Sequence, residues 1–115
     1  MTTNTEFLDV TNQVFLQGNI GKKPVVQKTR GGNWYCSFSL ATDEPYKDSD
    51  GETVKHTSWH QVKAWGKMAA SISKRFQKGD LVKIKGRLKT STYDKDGVKM
   101  YNTSVELTHI KPLIE

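Results

Sequence analysis

The sequence predicts an all-β fold, a closed barrel of five strands with one short α-helix between the third and fourth. Three observations predict it. Apolar and polar residues alternate with a period of two through five separate runs, one run changes to a period near four, and two Asp-Gly pairs mark tight turns. The chain has 115 residues, 35% hydrophobic and 26% charged. That suffices for one domain with a lean interior, which suits a small barrel better than a thick layered fold.

Residues 1–9 are mostly polar and are expected to form a flexible arm, with Phe7 and Leu8 as docking points. The first strand run starts at Val10: Val14, Leu16, Gly18 and Ile20 share one face, and Gln13, Gln17 and Asn19 the other. Gly18 and Gly21 let this strand bend, and Pro24 ends its first half. In NWYCSFSLAT, Cys36, Phe38 and Leu40 oppose Ser37 and Ser39, and Trp34, on the parity of Cys36, reads as core or rim. From Lys55 to Trp65, His56, Ser58, His60, Val62 and Ala64 take one face and Trp59, Gln61, Lys63 and Trp65 the other.

KMAASISKRFQKG changes rhythm. Met68, Ile72 and Phe76 recur every four residues, basic residues crowd the last turn, and Gly79 follows, which predicts an amphipathic helix capped by that glycine. The fourth strand, DLVKIKGRLKTSTY, turns Val82, Ile84, Gly86 and Leu88 one way and Lys83, Lys85, Arg87, Lys89, Ser91 and Tyr93 the other. A last run, Met100 to Ile110, sets Tyr101, Thr103, Val105 and Leu107 on one face. Asp50-Gly51 and Asp96-Gly97 supply the positive φ angles of hairpin turns. Three strands, a helix and two strands match a five-stranded Greek-key barrel of the OB type, expected here over residues 10–111, with 112–115 as a C-terminal end.

Charge and aromatic residues point to the ligand. Eighteen Lys and Arg against twelve Asp and Glu leave a net charge of +6, which favours an anionic partner. Trp59, Lys63 and Trp65 share one outward face, while Lys83, Lys85, Arg87, Lys89 and Tyr93 share another. Tyr46 and Tyr93 each stand at the base of a predicted hairpin turn. Cations that follow phosphates, interleaved with rings that stack on unpaired bases, are what a single strand of nucleic acid requires. In OB barrels the face of strands two and three, with the 1–2 and 4–5 loops, holds oligonucleotides.

Other chemistries find little support. GNIGKK lacks the spacing and the Ser or Thr of a phosphate-binding loop, and DSDGE and DKDGV lack the carboxylates of a calcium loop. His56 and His60, four residues apart on a strand, stand about 13 Å apart and cannot share an ion; His60 reads as a hydrogen-bonded, partly buried histidine. No nucleophile–base pair or carboxylate dyad is present, so the expectation is no enzyme, no catalytic residue, no metal and no cofactor. Cys36, the single cysteine, excludes an intramolecular disulfide and reads as a small core residue. The N-terminus has no signal-peptide pattern, and no run approaches the roughly 18 apolar residues of a membrane span. A reducing intracellular compartment fits best.

The segments GNIGKKP, FSLATDEPYKD, TSWHQVKAWGKMA, FQKGDLVKIKGRLKTSTY and DGVKMYNTSVE, in this order, closely resemble the bacterial-type single-stranded DNA-binding protein family over about residues 10–110. The resemblance implies an OB fold, usually a homotetramer, that binds single strands without sequence preference in replication, recombination and repair, in the cytoplasm of a bacterium or a phage-infected host. It puts the family's four stacking aromatics on Tyr46, Trp59, Trp65 and Tyr93 and matches Trp59-His60 and the helix-opening Gly66-Lys67. Phosphate contacts are expected from Lys63, Lys67, Lys83, Lys85, Arg87 and Lys89, with Lys22 and Lys23 as additional basic contacts. Tyr46 and Tyr93 stand where tryptophan is common in relatives, and Trp65 where phenylalanine is common. Relatives usually continue through a linker to an acidic tip that recruits other replication proteins, whereas this chain stops at KPLIE. It reads as either shortened or a minimal member of phage or mobile-element type, so tail-mediated recruitment is not expected. The alternatives are an OB barrel that prefers RNA and a primosome-type protein-interaction module.

Overall fold

The computed structural model describes residues 10–113; the expected arm over 1–9 and the last two residues of the C-terminal end lie outside the described residues. The strands are β1 (Val14–Ile20), β2 (Val25–Lys28), β3 (Trp34–Lys47), β4 (Thr53–Trp65), β5 (Leu81–Lys95) and β6 (Val98–Pro112), with the helix α1 (Gly66–Arg75) between β4 and β5. β1 pairs antiparallel with β5 and, at Asn19 and Ile20, with β3. β5 continues to β6, β6 to β4 and β4 to β3, which closes a five-stranded barrel.

The expected first strand is interrupted. Ile20 stands opposite Leu40 and Val25 opposite Ser37, so the chain spends Gly21, Lys22, Lys23 and Pro24 where β3 spends only Ser39 and Phe38. Proline has no N–H for the ladder, and here it turns inward and is buried. The excursion pushes the two lysines out into solvent. The remainder of that strand is β2.

Alternation builds the core. Ile20, Cys36, Phe38, Leu40, Val62, Ala64, Val82, Ile84, Val105 and Leu107 line the barrel, and Ala69 and Ile72 of α1, with Phe76 just after it, close one end. The helix stops earlier than the spacing predicts. Phe76 is already extended, with φ −121° and ψ 149°, and donates its N–H to the carbonyl oxygen of Ile72 while its ring enters the core. Gly79 therefore does not cap the helix. With φ +93° it shapes the turn into β5 and donates its N–H to the Ile20 carbonyl at 2.7 Å.

Beyond the barrel the two hairpins run on as arms. Lys95 pairs with Val98, and Asp96 and Gly97 both take positive φ, 52° and 80°, as a two-residue hairpin turn requires. At the other tip, Asp48 accepts the N–H groups of Asp50 and Glu52 on one carboxylate oxygen. Tyr101, which parity assigns to the inner face, lies on the outer arm and is 66% exposed, and Leu88, on the same parity and opposite the core residue Val105, is 50% exposed at the barrel's rim. Past the rim, parity has no core to point at.

The barrel closes at a very short approach. A Cβ on Gly18 would strike the backbone carbonyl of Ala41, which cannot yield as a flexible side chain would. Gly18→Ala is expected to destabilise the fold by about 2 kcal/mol, or roughly 10 °C in melting temperature. Gly31→Ala, where a Cβ meets nothing nearer than 4.0 Å, is expected to leave it unchanged. Equal melting curves for the two variants contradict this closure.

Candidate nucleic-acid interface

With Val62 and Ala64 sealed inside, the opposite parity of β4 must face water. Trp59 and Trp65 are accordingly 62% and 45% exposed, with half-buried Lys63 between them. Their neighbours on β3 decide how open each ring is. Trp59 stands opposite Ala41, and the edge of its ring lies over Gly21, where a Cβ would collide with it. Trp65 stands opposite Tyr35, whose ring centroid is 5.4 Å away at a 34° tilt and whose hydroxyl donates to Gln27 at 2.8 Å. Tyr35 is a supporting ring that the sequence reading passed over; its place on the parity of Ser37 and Ser39 was the available signal.

Tyr46 and Tyr93 are 53% and 50% exposed and stand on the two arms, close to their turns. Tyr46 sits edge-on to His56 at 6.3 Å. The four rings expected to stack are thus open to solvent, two on the barrel face and one on each arm.

The basic residues divide. Lys63 pairs in register with Glu106 on β6, and Glu106 in turn faces Arg87 on β5. Arg87 donates Nε and a terminal guanidinium N–H to Glu106 Oε1 at 3.1 and 3.0 Å, and the Lys89 ammonium lies 3.4 Å from Oε2. Two cations therefore hold one carboxylate, with Lys63 in the neighbouring register position on β4, so three positive charges and one negative stand beside the tryptophan face. Lys83 and Lys85 are not part of this cluster. Their partners are Gln17 and Phe15 on β1 and Lys111 and His109 on β6, on the wall turned away from β4.

Lys67, in the first turn of α1, and Lys22 are exposed. Lys22 borders a shallow groove with Ser37, Ser39 and Gln61 on the β3–β4 face. Lys23 instead donates to the Ser73 carbonyl at 3.2 Å. His60, half-buried, shares a 2.9 Å hydrogen bond between its Nε2 and the Thr42 hydroxyl. Cys36 is fully buried, and burial pushes its thiol up, away from reactivity. Among the described residues no helix is long and apolar enough to cross a membrane, and no three His, Cys, Asp or Glu side chains gather as a metal site.

The family model described as the single-strand binding protein family matches residues 11–113. The chain belongs to this family. It is 40% identical over 104 residues to single-stranded DNA-binding protein 1 of Chlorobaculum tepidum, covering 89% of this chain and 64% of that one. The single-stranded DNA-binding protein of Neisseria meningitidis is 33% identical over 103 residues, covering 89% and 59%. The chain thus spans about three-fifths of the length of these curated relatives. The fold superposes on a Plasmodium falciparum SSB complexed with ssDNA with a TM-score of 0.81 at 25% identity, covering 94% of this chain and 99% of that one. A deletion mutant of the single-stranded DNA-binding protein from Thermus aquaticus gives 0.80 at 31% identity, covering 90% and 51%. The shared family and fold agree with an OB barrel.

Glu106 gives this surface a pH dependence. Partial burial pushes its carboxyl up, but hydrogen bonding to Arg87 and the charge of Lys89 outweigh this and hold it below the ordinary value. A carboxyl lowered on folding stabilises fully above its unfolded pKa of about 4.3 and loses that contribution as the pH falls through the folded value. Arg87 and Lys89 are 61% and 57% exposed, so the contribution is under about 1 kcal/mol. Glu106→Gln is expected to flatten this acid limb in denaturant titrations at stepped pH. Coincident pH profiles for variant and parent contradict it.

Proposed function

We propose that the domain, over residues 10–111, binds single-stranded DNA without sequence preference and protects it during replication, recombination and repair. The observation that carries the reading is the pair of exposed indoles, Trp59 and Trp65, flanking Lys63 on the water-facing side of a closed barrel. In this reading, bases stack on Tyr46, Trp59, Trp65 and Tyr93. Lys63, Lys67, Arg87 and Lys89 meet the phosphates, with Lys22 beside the path. Stacking is nearly blind to base identity, because every base has a flat π face. The aromatic–cationic surface, membership of the family and the named functions of the relatives support this reading.

The domain acts as a binding module, not an enzyme, working in the cytoplasm of a bacterial or phage-infected cell. Lys83 and Lys85 then belong to a second surface. There Phe15 is 63% exposed with the Lys85 ammonium 5.8 Å from its ring centroid, a wall suited to homo-oligomer assembly, a tetramer by family analogy.

Titration with oligo-dT is expected to quench tryptophan emission and to weaken with salt, log K falling with log salt by about 0.7 per phosphate neutralised. Trp59→Ala is expected to cost about tenfold in affinity while the melting curve stays unchanged. Emission that does not move at saturating oligo-dT contradicts the placement, and an unfolded Trp59→Ala means the indole was core. Glu106→Gln releases two cations and is expected to tighten binding at low salt and steepen the slope by up to about 1.4. An unchanged slope places Arg87 and Lys89 outside the strand's path.

A further inference from the structure

Resting on the reading above, the geometry points to a fifth base-stacking site, built on Trp34 at the corner where β3 meets α1. Trp34 opens β3 on the parity of Cys36 and Phe38, yet it is 48% exposed, because the barrel ends before it. The indole borders a groove of about 460 Å³ whose other walls are Val26, Ala70, Gly66 and Lys67. That volume falls within the range of about 300–1,000 Å³ common for small-ligand clefts. The lining is apolar apart from the cation, as suits a flat base with its phosphate outside.

Two lysines bring positive charge to this corner. Lys28 pairs in register with Trp34, and its ammonium lies 5.0 Å from the ring centroid. Lys67 lines the groove from the first turn of α1. Neither joins an ion pair among the described residues, where the paired cations are Lys55, Arg87 and Lys89. Both are therefore free to meet phosphate, and Lys28 can leave the ring to a base without breaking a salt bridge.

Continuity with the tryptophan face identifies the occupant. Gly66 and Lys67 follow Trp65 directly in the chain. Tyr35, the residue after Trp34, packs on Trp65 at 5.4 Å. A single strand leaving Trp65 around this edge passes Lys67 and reaches the Trp34 indole next. The occupant is a further nucleotide of the same strand, held by stacking and by two ammonium groups, with no base-specific contact.

Two measurements on the full chain decide it. First, anisotropy of fluorescein-labelled oligo-dT is followed for the parent, Trp34→Ala and Trp34→Phe, with light scattering on each. Trp34→Ala is expected to weaken a long oligonucleotide about tenfold, and Trp34→Phe by no more than about twofold, at unchanged assembly mass. Parent-like affinity in Trp34→Ala overturns the site, and so does a changed assembly mass, which makes the corner a subunit contact. Second, in the Trp59→Phe, Trp65→Phe double variant only Trp34 emits. When anisotropy shows this protein saturated with oligo-dT, its emission is expected to be quenched. Saturation with unaltered emission overturns the site even where Trp34→Ala fails to fold. A parent that binds no single strand overturns the underlying reading as well, whereas loss of the Trp34 effects alone leaves that reading standing.

Discussion

Val62 on β4 and Val105 on β6 stand opposite each other, and their parallel pairing closes the barrel. Closure of this kind leaves little freedom. Each wall strand must send alternate side chains inward, and the interior of this five-stranded barrel is already filled by Phe38, Leu40, Ile20, Ile84, these valines, Ala64 and Cys36. The large rings of β4 are therefore displaced outward by the packing of their neighbours. Trp59 and Trp65 are not core residues that failed to bury; they occupy the parity that burial forbids.

The electrostatics of that surface follow from the same registration. Because β4, β6 and β5 lie side by side, Lys63, Glu106 and Arg87 form a single row across three strands, with Lys89 reaching in from one step away. A carboxylate in the middle of such a row limits mutual repulsion among the cations when nothing is bound, and it competes with phosphate when something is. Affinity in this arrangement is a difference between two charge partners rather than a sum of lysines. Among the described residues the wall carrying Lys83, Lys85 and Lys111 has no comparable carboxylate in its row, and Lys83 and Lys111 stand directly opposite one another, a juxtaposition that favours an outside counter-charge or separation by long, mobile side chains.

Much of this was legible before any coordinates. The period-two runs located the barrel strands, and parity alone separated Val62 and Ala64 from Trp59 and Trp65. The Asp96-Gly97 pair announced its turn through the positive φ that it tolerates. What could not be read depended on pairings between distant segments. Pro24 marks the break in the first run, but nothing local shows the length of that break, because the four-residue excursion exists only relative to β3. Leu88 and Tyr101 follow the right alternation, but Leu88 stands at the rim and Tyr101 past it, and the length of a barrel wall is set by its neighbours. The lysine row on β5 reads as one stripe in sequence, and its partners change along it: Lys83 and Lys85 face Gln17 and Phe15 on β1, whereas Arg87 faces Glu106 on β6. Glu106 and Tyr35 matter only through residues nineteen and thirty positions away, Arg87 and Trp65.

The central claim is that the ring-bearing face of β3 and β4, and not the Phe15 wall, is where a single strand lies. Photocross-linking of bromodeoxyuridine-substituted single strands, followed by peptide mapping, tests it most directly. Adducts on the peptides containing Trp59 and Trp65, with weaker ones at Tyr46 and Tyr93, are the expected result. Adducts confined to the peptides containing Phe15, Lys83 and Lys111, with the β4 peptide unmodified, would contradict the account.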